Sequence, residues 1–384
     1  MNKAYLMVPG PTSVPERVLQ ATHRPVVNHR GVLYEEMFSR ITAGLKEIFR
    51  TNQDVLVFPA AGTGMLEAAV VNTLSPGDKV LAVSIGVFGD RFAEIASRFG
   101  ADVEVLAFPW GQAADPKRVA ERLAADKDHS IKAVLVTHNE TSTGVVNDLA
   151  ALARARGDHP ALLIVDAVSS LGAVDLATDD WGLDVVITGS QKALMTPPGL
   201  GFMAMGERAW AANAKSTMAK FYWDAQAAKK SAAKGQNPYT PAVSLLFGLE
   251  EALKMIAEEG LDNSIDRHKK LSEVLRTGLK ALGLNLLAED AVASPGVTAV
   301  FPPDGLEAKK IQKVMRERFG ITLAGGQKQL ENKIFRIGHL GYVVETDILV
   351  TLAALEITLA LLGAKVELGA AVKAAGLVIV EGKR

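Results

Sequence analysis

Short apolar runs alternate with amphipathic segments through the first half of this 384-residue chain. The segments between the runs, such as "GMLEAAVVNTL" and "GDRFAEIASRFG", place apolar residues at helical spacing. This alternation predicts an α/β domain with a mostly parallel sheet between helices, in which ligands bind beyond the carboxyl ends of the strands. The runs predicted as buried strands are 54–59, 79–84, 102–108, 132–137, 161–166 and 184–189.

The pattern changes after about residue 206, where an alanine- and lysine-rich stretch leads to "NPYTP" at 237–241. Two long helices and then two weaker strands around a further helix are predicted at 242–258, 264–282, 297–301, 306–319 and 334–338. These elements indicate a smaller α+β domain. We therefore expect two domains, residues 1–258 and residues 259–384.

Composition excludes several classes of chemistry. The chain has no cysteine, which rules out disulfides, thiolate nucleophiles, zinc–thiolate sites and iron–sulfur clusters. Its net charge of -1 gives no reason to expect nucleic acid or an anionic membrane as a partner. Pro9 and Pro11 interrupt the start before a targeting segment could form, and the most apolar helical stretch, 351–364, is too short to span a bilayer. We expect a cytoplasmic enzyme without a metal site.

The segment "FPAAGTGMLEAAV" at 58–70 predicts a strand, a turn and a helix. Ala61 and Gly62 are small enough for backbone N–H groups to approach an anion at the helix N-terminus, and Thr63 adds a hydroxyl. The turn matches neither common glycine-rich nucleotide motif. A phosphate cradle and an ordinary capped turn both fit this pattern.

A carboxylate and a lysine follow two successive predicted strands. Asp166 ends the run "ALLIVD", where a buried carboxylate either caps the next segment or partners a cation. Lys192 follows "DVVITG" and is either a surface residue or, away from water, a nucleophilic amine. An anion site, an acid for a pyridine nitrogen and a reactive lysine, in this order, are what pyridoxal phosphate (PLP) requires.

Several segments resemble the class V aminotransferases, most closely the alanine–glyoxylate and serine–pyruvate or serine–glyoxylate enzymes. The resemblance covers nearly the whole chain and implies a fold-type I PLP-dependent transferase. That fold has a large domain with a mostly parallel seven-stranded sheet between helices and a smaller α+β C-terminal domain. The matching segments are "VPGPTSVPERVL" (8–19), "THNETSTG" (137–144), "VDAVSSLG" (165–172), "GSQKALMTPPGLGF" (189–202) and "RIGHLG" (336–341).

The resemblance implies roles for the matching residues. Lys192 would attach PLP and move the substrate proton, and Asp166 would partner the ring nitrogen. The family often has a serine at the position of Ala61, so one hydroxyl contact to the phosphate is missing here. The residues implied to bind the phosphate are Ala61, Gly62, Thr63 and Gln191.

Further positions concern the ring and a second subunit. Thr141 would lie near the ring oxygen, and Val168 would pack on one ring face. Phe88 would cover the other face, where the family often has a tryptophan, although a core phenylalanine fits the same pattern. Tyr239 and Thr240 would reach the phosphate of the neighbouring subunit, so that the active site is shared within a homodimer.

Two residues are candidates for binding substrate. Arg336 lies inside the short predicted strand "IFRIG", where it either forms a structural salt bridge or binds an α-carboxylate with its two-pronged geometry. His29 in "NHRG" either contacts a serine hydroxyl or has no such role.

The resemblance implies PLP-dependent, ping-pong transamination through pyridoxamine phosphate. The expected donor is serine or alanine, and the expected acceptor is glyoxylate or pyruvate. The alternatives are an aminotransferase for 2-aminoethylphosphonate or a ureido amino acid, a PLP lyase acting on serine, and a subunit of a soluble hydrogenase. Cysteine desulfurase is excluded, because that reaction needs a cysteine nucleophile.

Overall fold

The computed structural model describes residues 4–382; residues 1–3 and 383–384, at the ends of the two predicted domains, lie outside the described part. The strands are β1 Tyr5–Met7, β2 Asp54–Ala60, β3 Lys79–Ser84, β4 Asp102–Ala107, β5 Ile131–Thr137, β6 Asn139–Glu140, β7 Val145–Val146, β8 Leu162–Asp166, β9 Val185–Gly189, β10 Gly199–Met205, β11 Val297–Val300, β12 Ile321–Gly325 and β13 Phe335–Gly338. The helices are α1 Glu16–Thr22, α2 Val32–Phe49, α3 Gly62–Thr73, α4 Val87–Arg98, α5 Pro116–Ala124, α6 Leu149–Arg156, α7 Glu207–Asn213, α8 Ala225–Ala232, α9 Val243–Glu259, α10 Leu261–Ala281, α11 Ala308–Phe319, α12 Glu345–Leu361 and α13 Ala370–Glu381.

A seven-stranded sheet in the order β2-β10-β9-β8-β5-β3-β4 forms the centre of the molecule. Its strands are parallel except β10, which is antiparallel to both neighbours. The six strands predicted for this part of the chain are confirmed, and so is the mostly parallel arrangement. Strand β10, "GLGFMAM", was not predicted because glycine and methionine replace the β-branched residues that mark the other strands.

Helices cover both faces of this sheet, as the alternating sequence predicts. On one face, α2 buries Tyr34, Met37, Phe38, Ile41 and Leu45, which follow helical spacing, against the strands. On the other face, the almost wholly buried helix α3 and the helix α4 form a second apolar cluster. Within residues 4–382, no helix is long and apolar enough to cross a membrane. A cytoplasmic location stays a prediction.

A second sheet has the order β1-β12-β13-β11 and packs against α10 to α13 through its own apolar cluster. The predicted strands at 297–301 and 334–338 are confirmed as β11 and β13. Strand β1, from the N-terminal end, pairs in parallel with β12, so the N-terminal segment contributes to the sheet that is otherwise formed after residue 259. The division of the chain at residue 258 stays a prediction.

Candidate active site

Lys192 lies in the loop between β9 and β10, three residues beyond the end of β9. Two hydrogen bonds shape this loop: the backbone N–H of Met195 donates to the carbonyl of Lys192 at 3.0 Å, and the hydroxyl of Ser190 donates to the carbonyl of Pro197 at 2.8 Å. The adjacent parallel strand β8 ends at Asp166. Both side chains therefore lie beyond the carboxyl edge of the sheet, where the topology places ligand sites.

One cavity at this edge brings together most of the predicted site residues. Nine of them line it: Ala61, Gly62, Thr63, Phe88, Thr141, Asp166, Val168, Gln191 and Lys192. Four further lining residues were not predicted: Leu66, Arg91, Asn139 and Ser169.

Burial shifts the pKa values of the two central groups in opposite directions. Asp166 is 3% exposed, and within residues 4–382 its carboxylate accepts one hydrogen bond, from the backbone N–H of Val168 at 2.9 Å. Burial raises the pKa of Asp166 to about 7, while the Val168 N–H and the charge of Lys192 act against that rise. Burial lowers the pKa of Lys192 to about 8, while Asp166 acts to raise it. Near neutral pH, both groups can therefore change protonation state, as acid–base chemistry requires.

The N-terminal segment crosses Lys192. Its Nζ atom donates a hydrogen bond to the carbonyl of Pro9 at 2.5 Å, and the hydroxyl of Thr12 donates to the carbonyl of Lys192 at 3.0 Å. A Cβ atom on Gly10 would lie 2.4 Å from that Nζ, so only glycine leaves room for the lysine at this position.

The turn at residues 61–63, the predicted phosphate cradle, is tightly packed. Helix α3 begins at Gly62, where a Cβ would lie 2.5 Å from a methyl carbon of Val168. A Cβ on Gly189 would lie 3.2 Å from the Gly62 nitrogen and 2.8 Å from Oε1 of Gln191. This Oε1 is buried and has no hydrogen-bond partner in the described part of the chain. Gln191 and the start of α3 thus face the same small space.

Arg336 lies in the middle of β13 and is 6% exposed. Its Nε donates to the carbonyl of Gly325 at 2.8 Å, and its Nη1 donates to the carbonyl of Thr141 at 2.9 Å. Between residues 4 and 382, no carboxylate forms an ion pair with this guanidinium. Burial lowers its pKa to about 10, and the charge of Glu140 acts to raise it. The structural salt bridge that the sequence left open is therefore absent from the described residues.

The family model described as "Aminotransferase class-V" matches residues 4–342. The chain belongs to the class V aminotransferases. PLP is accordingly its cofactor.

Individual relatives match over almost the full length. The "Soluble hydrogenase 42 kDa subunit" of Anabaena cylindrica is 47% identical, with 94% of each chain covered. The serine–glyoxylate aminotransferase of Methylorubrum extorquens is 41% identical over 97% of this chain and 95% of that protein. The crystal structure of ureidoglycine–glyoxylate aminotransferase from Bacillus subtilis superimposes with a TM-score of 0.94, at 32% identity and with 99% of each chain covered.

The cavity of this aminotransferase fits PLP. Ala61, Gly62 and Thr63 line the cavity at the start of α3, where no side chain of the described residues caps the first backbone N–H groups, and this suits a phosphate. Gln191 lines the same cavity, and its amide N–H₂ group would be a further donor to the phosphate. Asp166 is a buried carboxylate without an ion-pair partner in the described residues, which suits a protonated ring nitrogen. Lys192 borders the same space with a lowered pKa.

Arg336 donates to the carbonyl of Thr141 but does not itself line the cavity of the single chain. Three further predicted site residues of this aminotransferase also do not line it: His29, Tyr239 and Thr240. The two segments that carry them are neighbours, because Arg30 donates hydrogen bonds to the carbonyl oxygens of Asn237 and Pro238 at 2.7 and 3.2 Å. Thr240 is exposed, and Tyr239 stacks on Phe221 and Tyr222. Their proposed contacts with a second subunit stay predictions.

The fully buried Glu140 is a residue that sequence reasoning missed, although it stands inside the segment "THNETSTG". Its Oε2 accepts hydrogen bonds from the backbone N–H groups of Phe88 and Gly89 at 2.9 and 3.1 Å, and its Oε1 accepts two from Ser142. The hydroxyl of Ser142 accepts from the N–H of Val87 at 3.0 Å. Burial raises the pKa of Glu140, and these hydrogen bonds oppose the rise. The pair caps the start of α4, which otherwise lacks a side-chain cap.

Arg91, Asn139 and Ser169 were also missed. The hydroxyl of Ser169 bonds to that of Thr141 at 2.8 Å and accepts a hydrogen bond from the amide of Asn139 at 2.9 Å, so these side chains fix the wall of the cavity around Thr141. Ser169 and Asn139 belong to quoted family segments, and Arg91 follows Phe88 by one helical turn. That spacing is the signal that could have identified Arg91.

Proposed function

We propose that this protein transfers the amino group of serine or alanine to glyoxylate, or to pyruvate. The observation that carries the proposal is Arg336, a buried guanidinium that contacts the cavity residue Thr141 and has no ion-pair partner in the described chain. A buried cation in this state favours an anionic ligand, and its fork matches an α-carboxylate. The contact of Arg336 with Thr141 supports this role, because Thr141 lines the same cavity as Lys192.

The cations of the site favour a small monocarboxylic donor. Arg336 would bind the α-carboxylate. Lys192 would attach the cofactor and would therefore not bind a second carboxylate. Arg91, the remaining cavity cation, lies near Thr63 on the side of the phosphate turn. No second arginine next to Arg336 is then left for a side-chain carboxylate in the described site, as aspartate or glutamate would need.

When bound, PLP supplies the electron sink that acidifies the Cα–H bond of an amino acid. Lys192 would hold the cofactor and, once released by the donor amine, accept the Cα proton and return it to the cofactor side. Its lowered pKa keeps part of its amine neutral near pH 7. Asp166 would hold a proton at the ring nitrogen, and Arg336 would fix the donor so that its Cα–H points at Lys192.

Glyoxylate is the preferred acceptor because two relatives that differ in donor share it in their names, serine–glyoxylate and ureidoglycine–glyoxylate aminotransferase. Serine or alanine is the proposed donor because Arg336 would bind a single carboxylate, and His29 is a candidate contact for a serine hydroxyl. A ureido amino acid is the second candidate donor, because the ureidoglycine–glyoxylate enzyme is among the relatives that match over nearly the whole chain.

We further propose that the working form is a homodimer with a shared active site. Apolar side chains are exposed next to the segments of His29 and Thr240: Phe221 is 76% exposed, and Val32 and Leu33 are 67% and 68% exposed. A second copy would cover this surface and bring Tyr239 and Thr240 to the neighbouring phosphate.

The test is the visible spectrum of the purified protein with PLP, before and after addition of L-serine, L-alanine or 2-aminoethylphosphonate. Loss of the lysine-bound absorption with serine or alanine, and its recovery with glyoxylate, would support transamination and name the donor. If the absorption were lost only with 2-aminoethylphosphonate and then recovered with glyoxylate, 2-aminoethylphosphonate would replace serine and alanine as the donor. Release of pyruvate and ammonia from serine without an acceptor would instead show a lyase. Lys192→Ala supplies the blank, because it should lack the absorption while keeping the fold.

A further inference from the structure

We infer that Arg91 supplies the positive charge that binds the cofactor phosphate within this chain, an inference that rests on the PLP-dependent function proposed above. The phosphate is a dianion, yet the predicted cradle of Ala61, Gly62, Thr63 and Gln191 offers only neutral hydrogen-bond donors. A charge-assisted contact would be stronger than any of these.

The geometry places Arg91 at this cradle. Its Nη1 lies 3.4 Å from the hydroxyl oxygen of Thr63, and its side chain lines the same cavity as Gly62 and Lys192. Its guanidinium carbon lies 4.9 Å above the centre of the Phe88 ring. A cation in that position touches both the phosphate turn and the aromatic residue that is predicted to cover the cofactor ring.

Arg91 has no ion-pair partner in the described chain, although its charge acts to lower the pKa of Asp166 in the same cavity. The neighbouring Asp90 accepts a hydrogen bond from the hydroxyl of Ser84 at 2.6 Å. The other cations near the cavity have different tasks. Lys192 bonds to the carbonyl of Pro9, and Arg336 is held by the carbonyls of Gly325 and Thr141.

Contacts within this chain also orient Arg91. Glu140 and Ser142 satisfy the first backbone N–H groups of α4, one turn before Arg91, and contact with the Phe88 ring orients the guanidinium. A side chain held in this way loses little conformational entropy on binding an anion. The competing explanation is that Arg91 only packs on Phe88 and supports the ring.

A comparison of ligands with and without phosphate separates these explanations. We would titrate the cofactor-free protein with pyridoxamine 5′-phosphate and with pyridoxamine by calorimetry, since neither ligand reacts with Lys192. The variants are Arg91→Gln and Arg91→Lys. The matched control is Arg98→Gln, which removes the same charge from the same helix at a side chain that is 79% exposed and paired with Glu94.

Arg91→Gln should weaken pyridoxamine 5′-phosphate on the order of tenfold to a hundredfold and change pyridoxamine by less than about twofold. Arg91→Lys should lose less affinity for pyridoxamine 5′-phosphate, and Arg98→Gln should bind both ligands as tightly as the unmodified protein. If Arg91→Gln weakened the binding of both ligands equally, or weakened the binding of neither, the inference would be overturned while the proposed function stayed intact. Failure of the unmodified protein to bind pyridoxamine 5′-phosphate would overturn the proposed function and, with it, this inference.

Discussion

Oε2 of Glu140 accepts a hydrogen bond from the backbone N–H of Phe88 at 2.9 Å, across 52 positions of the chain. A fully buried carboxylate thus holds the first turn of α4, the helix that carries both Phe88 and Arg91. Gly86 permits this contact, since a Cβ there would lie 2.5 Å from Cγ of Glu140. Glu140 is therefore proposed as a positioning residue that acts through Phe88 rather than through contact with substrate.

Glu140→Gln tests this role. The amide would point an N–H₂ group at backbone or hydroxyl donors, and we expect the free energy of unfolding to fall by about 1–3 kcal/mol. The circular dichroism of bound PLP should also decrease, because a less ordered Phe88 reduces the asymmetry around the ring. Glu94→Gln, on the exposed side of the same helix, is the control. An unchanged cofactor signal in Glu140→Gln would contradict the positioning role.

Arg336→Ala should raise the barrier for carboxylate donors by roughly 2–4 kcal/mol, the cost of a lost two-pronged charged contact. Arg336→Lys should recover only part of this, because an ammonium lacks the planar fork. We would measure kcat/KM for serine and, in parallel, for ethanolamine, which lacks the carboxylate. The ratio of kcat/KM for serine to kcat/KM for ethanolamine should fall strongly in Arg336→Ala. A preserved ratio would mean that another residue binds the carboxylate.

The sequence could predict the strands and the two central site residues because each follows from local information. A Val- and Ile-rich run marks a buried strand, and the ends of neighbouring parallel strands meet at one edge, which brings Asp166 and Lys192 together. The roles of other residues depend on distant contacts. Pro9 meets Lys192 across 183 positions, and Glu140 is recognisable as a cap only once β6 lies beside α4. Nothing local to either residue indicates its partner.

Asp166→Asn should stabilise the cofactor-free protein at pH 8. The folded-state pKa of Asp166 is about 7, above its unfolded value near 4, so the folded state binds more protons between these values. The contribution of Asp166 to stability therefore falls as pH rises through this window. Urea unfolding should show Asp166→Asn more stable by roughly 1–3 kcal/mol at pH 8, with the difference shrinking towards pH 4.

The exposed Asp266, paired with Lys269, provides the matched control for that series. Asp266→Asn should change the free energy of unfolding by less than about 0.5 kcal/mol at either pH. If Asp166→Asn were less stable than the unmodified protein at pH 8, the ionised carboxylate would have to be stabilised in the folded state by a further hydrogen-bond or charge partner. The expected destabilising effect of its burial would then be wrong.

The pH dependence of PLP capture should reveal the lowered pKa of Lys192. Only the neutral amine attacks an aldehyde, and with a pKa of about 8 half of it is neutral at pH 8. The capture rate, followed by stopped-flow absorbance with Lys192→Ala as the blank, should rise about tenfold per pH unit below pH 8 and level off above it. Asp166→Asn should move the plateau to lower pH, because the charge of Asp166 raises the pKa of Lys192. A rate that still rises tenfold per unit above pH 9 would mean that the cavity does not depress this pKa.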